Sequence, residues 1–107
     1  MEIKGIEFNG LPVNGIEFAF NAMEIMISCQ WHNPESKESE PIKVYFNGVK
    51  NIFADHVEIE NSGEVKILNI ELEEAPDVKK ARFQFSTGHP KTEMVLTFNY
   101  VGVHYSW

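Results

Sequence analysis

This chain has a single cysteine, few basic residues and no long apolar run. One thiol cannot form an internal disulfide, so any folded state must be held by a core rather than by covalent staples. At 107 residues the chain is long enough to build one. Nothing approaches the roughly 18 consecutive apolar residues that span a bilayer. The start, Met1-Glu2-Ile3-Lys4, lacks the charged-then-apolar pattern of a secretory leader. A reducing, cytoplasmic setting is expected. Only 9 Lys and Arg stand against 16 Asp and Glu, for a formal charge of −7. That balance disfavours nucleic acid and anionic membranes, both of which attract basic stripes. It suits a basic protein, whose encounter would be steered by complementary charge.

The chain is rich in β-patterned apolar residues. Eight Phe, three Tyr and two Trp within 43% hydrophobic content exclude a disordered chain. Acidic and large apolar residues alternate in Val57-Glu58-Ile59-Glu60 and in Leu68-Asn69-Ile70-Glu71-Leu72-Glu73-Glu74. A period of two sends successive side chains to opposite faces of a strand. The carboxylates are therefore expected on one sheet face, with Val, Ile and Leu in the core.

The chain opens with a short repeat, Gly5-Ile6-Glu7-Phe8 and Gly15-Ile16-Glu17-Phe18, separated by turn-rich residues. The two copies are expected to fold together as a hairpin. A strand follows from about Ala22 to Trp31, with Met23, Ile25, Ile27, Cys29 and Trp31 on one face. Cys29 in that phase is expected to be a buried, inert thiol. His32 to Pro41 reads as a polar loop, and Ile42 to Phe46 as a strand ending at the turn signal Asn47-Gly48. Asn51–Glu60 and Glu64–Glu73 flank Asn61-Ser62-Gly63 as a hairpin, with Glu58 facing Lys66 and Val57 and Ile59 facing Ile67 and Val65. The apolar phase slips between Ile67 and Leu68, which predicts a β-bulge. Val78 to Thr87 carries Ala81, Phe83 and Phe85 on one face. After Thr92 the phase of Met94, Leu96, Phe98 and Tyr100 switches to Val101, Val103 and Tyr105, with Gly102 at the bend. No helical period is sustained beyond a single turn within 73–80. The pattern predicts one all-β domain over 1–107, an antiparallel β-sandwich or small β-barrel of about seven or eight strands.

Catalytic constellations are missing. There is no nucleophile elbow, no glycine-rich phosphate loop and no calcium-loop pattern. His32, His56, His89 and His104 have no ligand spacing, so neither metal nor cofactor is expected. Glu58 and Glu60 stand about 7 Å apart by strand rise, a glycosidase-like separation that any solvated alternating strand produces. The chain reads as a binding protein rather than an enzyme.

With its acidic rows Glu58/Glu60 and Glu71/Glu73/Glu74, its Glu35-to-Glu40 loop and its aromatic end Val103-His104-Tyr105-Ser106-Trp107, the chain resembles the small acidic immunity proteins that bacteria make against their own toxins. The resemblance implies stoichiometric neutralisation of a basic toxin domain, often a nuclease. Its contact residues would be Glu58, Glu60, Glu71, Glu73 and Glu74, the loop residues Glu35, Glu38 and Glu40, and the adjoining Trp31. Two alternatives remain open. One is a carbohydrate-binding sandwich using Trp31, Tyr45 or Trp107 as a platform. The other is a subunit of a phage or secretion assembly that associates through a strand edge, with Lys43 and Lys50 as edge guards.

Overall fold

The computed structural model describes residues 2–3, 6–55, 65–86 and 93–106. Among these residues the alternating segments form ten strands. They are β1 (Glu2–Ile3), β2 (Ile6–Glu7), β3 (Val13–Ala19), β4 (Glu24–His32), β5 (Ser39–Asn47), β6 (Lys50–Asp55), β7 (Lys66–Glu74), β8 (Lys79–Ser86), β9 (Glu93–Tyr100) and β10 (Gly102–Ser106). The only helical element among the described residues is a three-residue 3-10 turn, Phe20–Ala22. β1 and β2 pair as a minimal ribbon, and the rest form two four-stranded antiparallel sheets, ordered β10-β5-β4-β3 and β6-β9-β8-β7. The fold is the expected all-β, sandwich-like arrangement.

Two features join the sheets. At one corner β5 continues into β6 and β9 into β10, so both strands leave one sheet and enter the other. Their pairing carries through the bend, from Asn47 opposite Gly102 to Lys50 opposite Asn99. The Val101 amide donates to the Asn47 carbonyl at 2.9 Å between them. Strands that change sheets at a bend are a recurrent way to make such corners. The apolar phase changes at this point, as expected around Gly102. Asn47-Gly48 marks the same corner rather than a hairpin, with Gly48 at φ +62°.

The second join is the segment from Gly10 to Val13. Gly10 and Val13 donate to the carbonyls of Ile67 and Val65 at 2.6 and 2.7 Å, and Leu11 accepts from Ile67 at 2.9 Å. Pro12, lacking an N–H, still accepts from the Gln30 amide at 2.9 Å. The segment is thus bonded to both sheets. From Asn14 onward β3 pairs only with β4 among the described residues, and β6 only with β9. No strand pairing joins these two edges among the described residues.

The core lies where the inward rows meet. Ile25, Ile27, Cys29, Ile42, Val44 and Phe46 of one sheet face Ile67, Ile70, Ala81, Phe83, Phe85, Leu96 and Phe98 of the other. Phe46 presents its ring edge-on to Phe83, Phe98 and Tyr100, with centroids 5.7, 4.9 and 5.1 Å away. Such geometry adds to the roughly 1.5–3 kcal/mol expected from burying each large apolar side chain.

Two expected hairpins differ from the structure. The repeat segments do not pair with each other: β2 pairs with β1, and β3 with β4. β6 and β7 do not form a hairpin over the described residues, but stand at opposite edges of their sheet. Lys66 and Ile67 face Ser86 and Phe85, and the other side of Ile67 is bonded to the Gly10–Leu11 backbone. Residues 56–64, which carry the other half of the expected register, lie outside the described residues. The bulge is present, as a register shift between Ile67 and Asn69. The loop after β4 is shorter than expected, because His32 already pairs with Ser39.

Candidate interaction surface

The acidic rows are placed differently from one another. On β7, Glu71, Glu73 and Glu74 face Arg82, Lys80 and Lys79 of β8 in register. Arg82 Nη1 lies 3.9 Å from Glu71 Oε1. Glu71 and Glu73 share the outer face with Arg82 and Lys80, which form a mixed ladder with them, whereas Glu74 follows Glu73 directly and points to the other face, toward Tyr100 and Tyr105. Cross-strand pairs of opposite charge support a sheet by a few tenths of a kcal/mol to about 1 kcal/mol each. They also cancel most of the field that a row of acids would project beyond about 10 Å, one Debye length at moderate salt. Glu58 and Glu60 lie outside the described residues.

The loop acids sit on the β4–β5 turn. The Asn33 side chain organises it, accepting from the Glu35 amide at 2.9 Å through Oδ1 and lying 3.4–3.5 Å from the Glu40 carboxylate through Nδ2. Ser36 Oγ accepts from the Glu38 amide, and Lys37 takes a left-handed φ of 60°. Glu35 and Glu38 are exposed, and Glu40 is half-buried beside Trp31, its register partner. Trp31 is half-buried and packs on the core, so it closes an end of the sandwich instead of standing out as a platform.

Cys29 is fully buried, and desolvation pushes its thiol up to about 12, so it is not a nucleophile. No group of three His, Cys, Asp or Glu side chains with metal-binding geometry occurs among the described residues. No helix among them is long and apolar enough to cross a membrane. At the far end of β7, Tyr100 and Tyr105 titrate above their ordinary range, chiefly through burial and further through the Glu74 carboxylate. Tyr100 Oη is buried without a hydrogen-bond partner of good geometry among the described residues, and the nearby Glu74 carboxylate raises its pKa further, by repelling the phenolate and by attracting the hydroxyl proton.

The most distinctive surface is one that composition did not single out. Phe18, Phe20, Met23, Ile52 and Phe53 are large, apolar and exposed, with Phe20 at 77% and Phe53 at 60%. Phe18 and Phe20 stack, with ring centroids 6.1 Å apart and planes within 14°. The 3-10 turn holds Phe20 outward: Met23, left-handed at φ 51°, donates to the Phe20 carbonyl and accepts from the Val49 amide. Phe18, Phe20, Met23 and Ile52 line one shallow hollow with Glu24 at its rim. Beside it, between β3 and β6, lies a cleft of about 410 Å³. Val13, Ile16 and Phe18 of β3, Ala54 of β6, Met94 and Leu96 of β9, and Val65 line it, and Asn14 is its main polar neighbour. Isolated apolar side chains on a surface are ordinary; a contiguous apolar end joined to an apolar cleft marks a binding surface.

A second surface is flat. On the outer face of the first sheet, Tyr45 and His104 stack at 4.7 Å with planes 4° apart, and Met26 is the register partner of Tyr45 on the other side. Compared with known proteins, the chain matches no family model and no curated protein sequence.

Proposed function

We propose that this chain is a non-catalytic protein-binding module whose partner is a basic protein, in the manner of an immunity protein that neutralises a toxin domain in the cytoplasm. The observation that supports this reading is the apolar end built by Phe18, Phe20, Met23 and Ile52, next to an apolar cleft and rimmed by Glu24. An apolar centre with a charged rim is the usual anatomy of a protein interface, and aromatic anchors supply most of the affinity in such patches. The net charge of −7 adds long-range attraction for a basic partner. In this reading the apolar end holds the partner, while the exposed loop acids Glu35 and Glu38 contribute mainly to encounter. The test is capture from a lysate of the source organism by the wild-type chain and by Phe20→Ser/Ile52→Ser. A basic protein held at 1:1 by the first and lost by the second supports the proposal. Equal retention by both removes it.

A second reading rests on the Tyr45–His104 stack. A flat aromatic pair on a sheet face fits the ring of a sugar, and the acids would then be incidental. A glycan panel read by the chemical shifts of Tyr45 and His104 separates this reading from the first.

A further inference from the structure

We infer that the outer edge of β3 takes up an extended segment of a partner protein as an added strand, laid in the cleft between β3 and β6. This rests on the protein-binding reading above and specifies how the partner is held.

The four sheet edges are not equivalent. Exposed edges invite pairing with other chains, and proteins protect them with lysine, proline, bulges or a covering segment. β6 carries Lys50, a left-handed Asn51 at φ 56° and a register slip between Lys50 and Phe53. β7 is covered at its start by the Gly10–Val13 backbone, bulges at Leu68 and then bears Glu71 and Glu73. β10 is only five residues long. β3 runs for seven residues, Val13-Asn14-Gly15-Ile16-Glu17-Phe18-Ala19, without lysine, arginine or proline. Its one irregularity is the slip between Val13 and Gly15, at the end already tied down. From Asn14 its outer edge meets no other strand among the described residues.

The cleft beside this edge identifies the occupant. Ile16 and Phe18 share the face of their register partners Ile27 and Ile25 and line the cleft, which Met94 and Leu96 floor. At about 410 Å³ it is of a size that takes a compact ligand, for which roughly 300–1,000 Å³ is usual. A small apolar molecule would fill that space and leave the β3 edge to water. An extended peptide satisfies both requirements, with main-chain bonds along the edge and alternate side chains in the cleft. Gly15 assists, because the space where its Cβ would be is open to 4 Å. Charge selects among peptides. Glu17 is the one charged residue on β3 and points away from the cleft, like its register partner Met26. The complementary strand therefore alternates apolar residues, directed into the cleft, with lysine or arginine beside Glu17.

The test uses the full chain and a short capped peptide alternating valine with lysine, read by amide hydrogen exchange. At saturating peptide, exchange along β3 slows about tenfold or more. N-methylation of one alternate set of peptide amides abolishes the effect. Replacing the peptide lysines by glutamate weakens binding severalfold, and Glu17→Lys reverses that preference. Unchanged β3 exchange with protection elsewhere would overturn strand addition while leaving the protein-binding reading in place. Undiminished binding by both N-methylated forms would also overturn it, in favour of an apolar ligand held by side-chain contacts alone. Protection of β3 that persists when Phe20→Ser/Ile52→Ser retains the natural partner would count against the apolar-end reading instead.

Discussion

Arg82 lies directly opposite Glu71 in the β7–β8 ladder, with 3.9 Å between guanidinium nitrogen and carboxylate oxygen. Lys80 stands opposite Glu73 on the same face, two residues along the ladder. Acids that alternate with apolar residues in the sequence thus become half of a charge ladder, and the cations come from the next strand. Both members of the Glu71–Arg82 pair are well exposed, so water and salt screen it. Glu71→Gln is expected to change stability by less than about 1 kcal/mol, measured by urea denaturation. Lys80→Gln/Arg82→Gln should leave the fold intact and convert the ladder into a bare acidic row. If the apolar end holds the partner, that double variant changes affinity much less than loss of Phe20 and Ile52.

The corner between the sheets makes a second, independent prediction. A Cβ on Gly48 would fall 2.7 Å from Val101 Cβ, and Gly48 is left-handed at φ +62°. Gly48→Ala meets both a backbone cost and a clash with a side chain held by the adjoining strand. A loss of about 1–3 kcal/mol is expected by thermal or chemical denaturation. Gly48→Ala/Val101→Ala should recover part of that loss, since Val101 is itself exposed.

Alkaline pH should destabilise the protein through its buried acids. Burial raises the Cys29 thiol from its ordinary 9.0 to about 12, and raises Tyr100 and Tyr105 above 10.0. Each group stays protonated in the folded state at pH values where the unfolded chain has already lost the proton. Their contribution is complete below the unfolded values and is lost as pH climbs from about 9 toward 12. Tm should fall across that window, and Cys29→Ala should flatten the decline even though it lowers Tm near neutrality. Alkylation of Cys29 in the native protein should be limited by unfolding.

Tyr100 carries a hydroxyl that is buried without a hydrogen bond among the described residues. Tyr100→Phe removes a desolvated polar group and keeps the ring packed edge-on to Phe46. The expected result is unchanged or improved stability, by up to about 1 kcal/mol, in contrast to the usual cost of core substitution.

The sandwich was legible in the chain because a period of two writes each strand's inward row directly. Ile25, Ile27 and Cys29, then Ala81, Phe83 and Phe85, then Met94, Leu96 and Phe98 are buried as their spacing predicts. The Leu68 bulge and the phase switch at Gly102 were legible for the same reason. Pairing was not. Asn47-Gly48 carries the composition of a hairpin turn, yet the chain turns there from one sheet into the other. The repeated Gly-Ile-Glu-Phe illustrates a further limit: Phe8 is buried and Phe18 is 40% exposed, although their local sequences match. What separates them is tertiary placement, absent from local pattern: Phe8 packs into the core beside Tyr105, whereas Phe18 lies on β3, whose outer edge meets no other strand among the described residues. The apolar end was illegible for that reason: Met23 shares the sequence phase of Ile25, Ile27 and Cys29, yet it is exposed. Of the expected contact acids, Glu71 pairs with Arg82, Glu73 and Glu74 have lysines as register partners, Glu35 and Glu38 are exposed on a turn, and Glu58 and Glu60 lie outside the described residues.

The measurement that bears most directly on the central claim is the affinity of the natural partner for three forms of the full chain. These are the wild type, Phe20→Ser/Ile52→Ser and Glu71→Lys/Glu73→Lys. Both pairs of positions are exposed, so each variant should fold as the wild type does, which circular dichroism and thermal denaturation check. The account predicts that the apolar double variant loses about a hundredfold or more in affinity, as expected for aromatic and aliphatic anchors, while the charge reversal costs less than about tenfold. A charge reversal that abolishes binding, with the apolar variant binding normally, would contradict it and return the partner to the β7 acids.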